Sequence, residues 1–170
     1  TLPTVKDSWV SASGLNANGS LRAGTKAQRA IVVAALSAAI DSNIEIREDL
    51  YQFNLLVAPG YPELIDNLVT LNTDRGETGF VIGDTPMTLE ATSTAIGSWN
   101  SNTNGDGLAT ASPYLGVYYP SGVTTDLTGN TIAVPPSYAV LRTFLYSDNV
   151  SYPWFAPAGT HRGLVSNIQD

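Results

Sequence analysis

The sequence contains no cysteine, one histidine and one methionine. The absence of cysteine excludes disulfides and thiolate metal sites, and a single histidine does not supply the ligand set of a typical zinc site. Charged residues are scarce, at 14%, whereas hydrophobic residues make up 43% of the 170 positions. This balance is typical of one folded domain with a buried core. The low charge also indicates that partners cover part of the surface.

Clustered basic residues and long apolar runs are missing as well. The net charge is −7, and the eight Lys and Arg residues are scattered along the chain. Nucleic acid is therefore not an expected partner, because phosphate binding needs grouped cations. The apolar run at 30–40 falls short of the roughly 20 residues that a membrane helix needs. We expect no membrane insertion.

One long helix is predicted over residues 27–40. Thr25 and Gln28 form a capping box in front of it, in which each side chain bonds a free backbone N–H at the helix start. The helix is rich in alanine and apolar on all sides, a pattern that predicts burial. We therefore expect it to lie inside the core.

Short apolar runs predict strands at 55–57, 79–83 and 114–120, followed by a loop at 121–130 and a further short strand at 131–136. Helical patterns lie between the first three strands, and another begins at about Ser137, with that serine as its cap. The sequence thus predicts an α/β fold with a mixed, largely parallel sheet flanked by helices. Residues 1–24 are predicted to be a loop and short-strand segment packed on a core domain formed by 25–170.

The common enzyme motifs are absent. The chain has no GxxxxGK[ST], no GxGxxG and no GxSxG, the patterns of phosphate loops, dinucleotide sites and nucleophile elbows. The turns after the strands contain prolines, which lack the N–H donors that hold a phosphate. We expect no nucleotide and no other cofactor.

Two residues keep a catalytic alternative open. Asp84 ends a predicted strand, where α/β enzymes hold their ligands, although Asp84-Thr85-Pro86 also suits a turn, and we favour the turn. His161, the single histidine, would have to serve any Ser-His-Asp triad. A solvated or hydrogen-bonded structural histidine is the favoured interpretation. The alternative function is a hydrolytic enzyme domain with a site near Asp84 or His161.

The loop at 102–107 has part of the sequence pattern of a calcium-binding loop. Asn102, Asn104 and Asp106 have the spacing of the first ligands in a calcium loop, followed by Gly107. The twelfth position is Pro113, where a calcium loop carries a bidentate glutamate. We favour a flexible polar loop and predict no metal.

The run VPPSYAVLRTFLYSDNVSYPWFAPAGTHRGLV, at positions 134–165, resembles the signature of the contractile tail sheath proteins of myophages. The matching positions form a Pro-Pro-Ser turn, a helix ending near an aspartate, and a Pro/Ala-rich segment ending in Ala-Gly-x-x-Arg-Gly. They are Pro135, Pro136, Ser137, Asp148, Pro153, Trp154, Pro157, Gly159, Arg162 and Gly163. The strands at 55–57, 79–83 and 114–120 also fit that family.

The resemblance implies a structural role in the virion and no catalysis. Family members stack as hexameric rings around a tail tube and contract to drive it through the host envelope. Expected partners are other copies of the chain, the tail tube protein, and the baseplate and tail terminator proteins. The family also has arms outside this core, so we expect a fragment of a longer protein. Within the motif we expect Trp154 to anchor the segment, Gly159 to need a glycine-only backbone angle, and Arg162, more than His161, to make contacts.

Overall fold

The structure, a computed structural model, describes residues 23–48, 50–103, 105, 107–152, 154–166 and 168. The predicted α/β class is confirmed in this part of the chain. The elements are α1 (Ala23–Ser42), β1 (Leu55–Val57), a 3-10 turn (Pro62–Leu64), α2 (Ile65–Asp74), β2 (Phe80–Asp84), α3 (Ser93–Asn100), β3 (Leu115–Tyr118), β4 (Gly122–Thr125), β5 (Thr131–Val134), α4 (Pro136–Val150) and α5 (Gly159–Arg162).

The main sheet is parallel, in the order β1-β2-β3. Leu56 pairs with Val81, and Ile82 pairs with Gly116. The other two strands form a separate antiparallel hairpin, in which Gly122 pairs with Val134. The segment at 121–130 was expected to be a loop, which is wrong for β4. Its Gly/Thr composition hides a strand that is specified by pairing with β5 rather than by its own apolar pattern.

The helices α2 and α4 lie on opposite faces of this sheet. Side chains alternate along a strand, so Gly83 and Asp84 point to opposite faces. A Cβ added at Gly83 would lie 2.9 Å from Cδ1 of Ile65 in α2. On the other face, the Phe80 ring lies 6.4 Å from the Phe144 ring of α4. The three layers are therefore α2, the sheet and α4.

The apolar core lies between the sheet and the helices on the α2 side. Its buried members are Leu56, Ile65, Leu68, Val69, Leu71, Val81 and Trp99. Trp99 belongs to α3, so α3 shares this face with α2. Two crossover helices on one face follow from the right-handed connection of parallel strands that are added in sequence order.

The predicted burial of α1 is wrong. The helix begins at Ala23, so Thr25 lies inside it rather than at its cap. It packs on α2 and the 3-10 turn, while Ile31 is 70% exposed and Leu36 is also exposed. The physical reason is the layer order: α2 and α3 already cover this face of a narrow sheet. The outer side of α1 therefore faces away from the core.

Candidate functional site

Asp84 is the centre of a buried polar cluster at the carboxyl end of β2. The side chain is only 2% exposed. Its Oδ1 accepts the Ser137 N–H at 2.7 Å, and its Oδ2 accepts the Ser137 hydroxyl at 2.7 Å and the Gly60 N–H at 2.8 Å. A single carboxylate thus joins β2, the turn after β1 and the start of α4.

The Pro-Pro-Ser sequence explains why α4 needs this carboxylate. Pro135 is extended, with φ −68° and ψ 152°, and Pro136 occupies the first helical turn, where its missing N–H costs nothing. Neither proline side chain can cap the helix. Ser137 was predicted to be the cap, which is wrong, because the helix begins one residue earlier. The negative charge of Asp84 instead satisfies the helix N-terminus from another element.

The polar cluster continues from Gly60 to α1. Gly60 adopts a φ of +76°, which favours glycine. Its carbonyl accepts Nη2 of Arg29 at 2.8 Å, and Arg29 also pairs with Glu63 at 2.8 Å. Arg29 further lies over the Tyr61 ring. The hydrogen bonds therefore run from α1 through the turn at Gly60 to β2 and α4.

The hydrogen bonds of Asp84 favour a structural role for this residue. Both carboxylate oxygens are used by internal donors, and burial leaves them no solvent-facing side. Next to Asp84, Thr85 donates its N–H and its hydroxyl to the Tyr118 carbonyl. Burial raises the pKa of the Tyr118 phenol above its ordinary value. The favoured turn at Asp84 is wrong, because Asp84 is the last residue of β2. Its carboxylate instead has a structural function, the capping of α4, which the sequence did not reveal.

His161 lies elsewhere. It is an exposed residue of α5 and lines a cavity of about 300 Å³ with residues of α4, among them Tyr138, Arg142 and Tyr146. Neither Asp84 nor Ser137 lines this cavity. The structure therefore does not bring the two alternative catalytic residues into one site.

A cavity of about 750 Å³ opens between α2 and α3. Glu63, Asp66, Glu90 and Trp99 are among its lining residues, and Asp84 is not. In the described part of the chain, no group of three or more His, Asp or Glu side chains is placed to hold a metal ion.

The loop that resembles a calcium site is tied internally. Asn102 has a φ of +51°, and its Oδ1 accepts the Gly107 N–H at 2.9 Å. That oxygen therefore closes a turn. Asn104 and Asp106 lie outside the described residues.

The structure explains why the closing motif has glycine at positions 159 and 163. Gly159 adopts a φ of +77°, as expected for a position that side chains disfavour. Gly163 has an ordinary φ, but an added Cβ would lie 2.7 Å from the Ala158 Cα and 2.9 Å from the Pro157 carbonyl oxygen. Glycine is needed at one position for its backbone angle and at the other for space.

Arg162 connects this motif to the end of α4. Its Nη1 donates to Ser151 Oγ at 3.4 Å, and its guanidinium carbon lies 4.6 Å from the centre of the Phe155 ring. The expected contacts of Arg162 are thus found inside the chain. His161 makes no such link among the described residues.

The expected anchoring by Trp154 is wrong. Its ring stacks on Tyr152 at 4.7 Å with an angle of 3°, but the residue is 75% exposed. Rings this exposed cover little core surface, so Trp154 forms a surface platform. Asp148 is also exposed, Pro157 is half-buried, and Pro153 lies outside the described residues.

Residues 1–22, which make up most of the predicted loop and short-strand segment, also lie outside the described residues. No helix in the described part combines the length and apolar character that crossing a membrane requires.

Sequence reasoning singled out Asp84 and Ser137 separately and missed their pairing, because 53 positions separate them. The available signal was an aspartate at the end of a buried strand together with a helix start whose prolines cannot cap it. No protein-family model and no curated protein sequence matches this chain.

Proposed function

We propose that the chain is a structural subunit of a contractile phage tail sheath. Copies stack as hexameric rings around the tail tube, and the stack contracts to drive the tube through the host envelope. The subunit acts in the virion, where it also meets the tube, baseplate and tail terminator proteins. No substrate is turned over, because the work comes from an extended state of higher free energy that a barrier holds.

The observation that carries this proposal is the exposure of large apolar side chains on both sides of the molecule. Exposed large apolar side chains mark an interaction surface where they adjoin one another, as Tyr152, Trp154 and Phe155 do through their rings. Those on the α1 side and its following segment are Ile31, Leu36, Ile44, Leu50 and Tyr51. Those on α4 and the closing motif are Tyr138, Leu145, Tyr146, Val150, Tyr152, Trp154, Phe155, Leu164 and Val165.

A subunit of a contracting stack must move as a rigid body, and the Asp84 cluster supports that role. The cluster joins β2, the turn after β1 and the start of α4 through one buried carboxylate. Buried, fully satisfied polar groups of this kind favour one arrangement of the layers. The closing motif is tied to the end of α4 through the bond from Arg162 to Ser151.

Electron microscopy tests the proposal. The protein expressed from its complete coding sequence should form rings or tubes in negative stain, with a central channel wide enough for a tail tube. Analytical ultracentrifugation should show large particles at the same concentration. A protein that stays monomeric at high concentration, and that is absent from phage particles, is not a sheath subunit.

A further inference from the structure

Charge is distributed unevenly along the chain. The region 41–90 carries ten of the 15 acidic residues, against Arg47 and Arg75 as its basic residues. The acidic residues are Asp41, Glu45, Glu48, Asp49, Glu63, Asp66, Asp74, Glu77, Asp84 and Glu90. The region 127–168 instead carries Arg142, Arg162 and the single histidine against one acidic residue, Asp148. Most acidic residues therefore fall in the region 41–90, and few fall in the region 127–168.

Part of the region 41–90 forms an exposed surface, here named the acidic knob and formed by Ile44, Glu45, Glu48, Leu50 and Tyr51. All five residues are exposed, Ile44 to 69% and Leu50 to 75%. The two carboxylates have no ion-pair partner within the described residues. The knob thus offers apolar and acidic groups side by side.

Arg75 fixes the backbone of the knob by hydrogen bonds. This buried guanidinium donates to three backbone carbonyls of the segment, those of Ile46 and Glu48 at 2.8 Å and that of Tyr51 at 2.9 Å. It also lies over the Phe53 ring at 4.1 Å. The backbone of the knob is therefore fixed before any partner arrives, which lowers the entropy lost on binding.

The complementary surface is named the α4 groove and is formed by Tyr138, Arg142, Tyr146, Leu164 and Val165. Its cavity measures about 300 Å³. The first three residues are spaced by four and so share one side of α4. All five are exposed. Arg142 donates to the Ser166 carbonyl at 3.1 Å and has no carboxylate partner within the described residues. The groove therefore offers apolar walls around one cation.

The layer order prevents the knob from meeting the groove of its own copy. The knob is bonded to Arg75, which caps the carboxyl end of α2 on one face of the sheet. The groove lies on the outer side of α4, on the other face. Complementary surfaces on opposite sides of a subunit join copies head to tail, and such contacts build rings or open stacks.

We propose that the acidic knob of one copy binds in the α4 groove of a second copy, with Glu45 and Glu48 facing Arg142. This inference rests on the proposed function and assigns one of the contacts that assembly needs. Ile44, Leu50 and Tyr51 lie against the tyrosines and the Leu164-Val165 segment. The contact joins opposite charges around an apolar centre, which gives specificity as well as attraction.

Charge reversal tests the pairing in the protein expressed from its complete coding sequence. Arg142→Glu alone, and Glu45→Arg with Glu48→Arg in one chain, should each raise the concentration needed for assembly by about tenfold or more. Mixing the two variant proteins should restore assembly, because each knob then meets a groove of opposite charge. Glu90→Arg, an exposed reversal outside both surfaces, is the matched control and should assemble normally.

The absence of cysteine allows a direct contact test. Copies carrying Leu50→Cys, mixed with copies carrying Leu164→Cys, should form disulfide-linked dimers under mild oxidation. The fully exposed Leu127, on the β4–β5 turn, provides the control variant Leu127→Cys, which should not crosslink to Leu164→Cys.

The outcomes separate this contact from the proposed function. If the wild-type protein forms no assembly, the sheath proposal fails. If the wild type assembles and both reversals assemble equally well, the sheath proposal stands and this contact is wrong. Reversals that abolish assembly without rescue on mixing, in proteins with native circular dichroism, also overturn the contact.

Discussion

Replacing Asp84 with asparagine tests the role of its carboxylate most directly, because the side chain keeps its shape. Asparagine retains one acceptor oxygen but presents an NH2 group to donors that now meet Oδ2, the Gly60 N–H and the Ser137 hydroxyl. The hydroxyl can rotate to accept, whereas the Gly60 N–H is left unsatisfied, at a cost of about 1–3 kcal/mol. Loss of the negative charge at the start of α4 costs a further amount of about 0.5–2 kcal/mol.

We therefore expect Asp84→Asn to lower the free energy of unfolding by about 2–4 kcal/mol. For a domain of 170 residues, each kcal/mol shifts Tm by about 3 °C, so Tm should fall by roughly 6–12 °C. Thermal unfolding followed by circular dichroism measures this shift. Asp148→Asn is the matched control, because Asp148 lies exposed on the same helix, and its change should stay within about 0.5 kcal/mol.

A double-mutant cycle with Ser137→Ala separates the specific pair from general damage. Ser137→Ala alone should cost about 1–2 kcal/mol, since the Ser137 N–H still reaches Asp84 Oδ1. The double variant should cost less than the two single losses together, because Asp84→Asn already turns the charge-assisted bond to the Ser137 hydroxyl into a weaker neutral one, which leaves less for Ser137→Ala to remove. An Asp84→Asn variant as stable as Asp148→Asn, or fully additive losses, would refute the capping argument.

Gly159→Ala should lower stability by about 1–2 kcal/mol because of the φ of +77°. Gly97→Ala, inside α3 with open space around it, should instead raise stability by about 0.5–1 kcal/mol. Urea unfolding of both variants compares them, and equal effects would contradict the backbone argument. Trp154→Ala should change Tm of the isolated chain by only a few degrees, since stacking on one neighbour is worth about 0.5–1.5 kcal/mol; a loss typical of a core tryptophan would show that the ring is buried. The pKa of Asp126 is lowered, chiefly by the hydrogen bond from the Thr128 hydroxyl, so the β4–β5 turn is stabilised while the carboxylate is charged and loses that contribution as the pH falls below the ordinary aspartate value of about 3.9. NMR titration should place the Asp126 midpoint below that value, and a midpoint above it would contradict the assignment.

Local patterns determined most of the secondary structure. Sequence patterns predicted β1, β2 and α2 closely, from the apolar runs at 55–57 and 79–83 and the helical pattern between them. The reason is that the buried positions of each element follow from the spacing of its own apolar residues. Gly159 was recognised in the same way, as a position where backbone angle matters more than side chain. The resemblance at 134–165 likewise depends only on the order of residues along the chain.

The tertiary structure decided what lies between these elements. The apolar pattern of α1 predicted burial, yet the helix lies outside α2. The reason is that the number of helices that can cover a three-stranded sheet depends on the whole fold and not on the sequence of one helix. β4 was missed because a Gly/Thr strand is stabilised by its partner. Trp154 was expected to be buried from its residue type, but burial depends on what packs above it.

The sequence by itself determined that this is an α/β domain with a rigid closing motif and no cysteine chemistry. Only the fold could turn Asp84 from a catalytic alternative into the cap of a helix that begins 52 positions later at Pro136. The physical reason is that the carboxyl end of a parallel strand and the N-terminus of a covering helix meet at the same edge of the sheet. The proposed contact between the knob and the α4 groove also depends on the fold, since the layers place these two surfaces on opposite faces of the sheet.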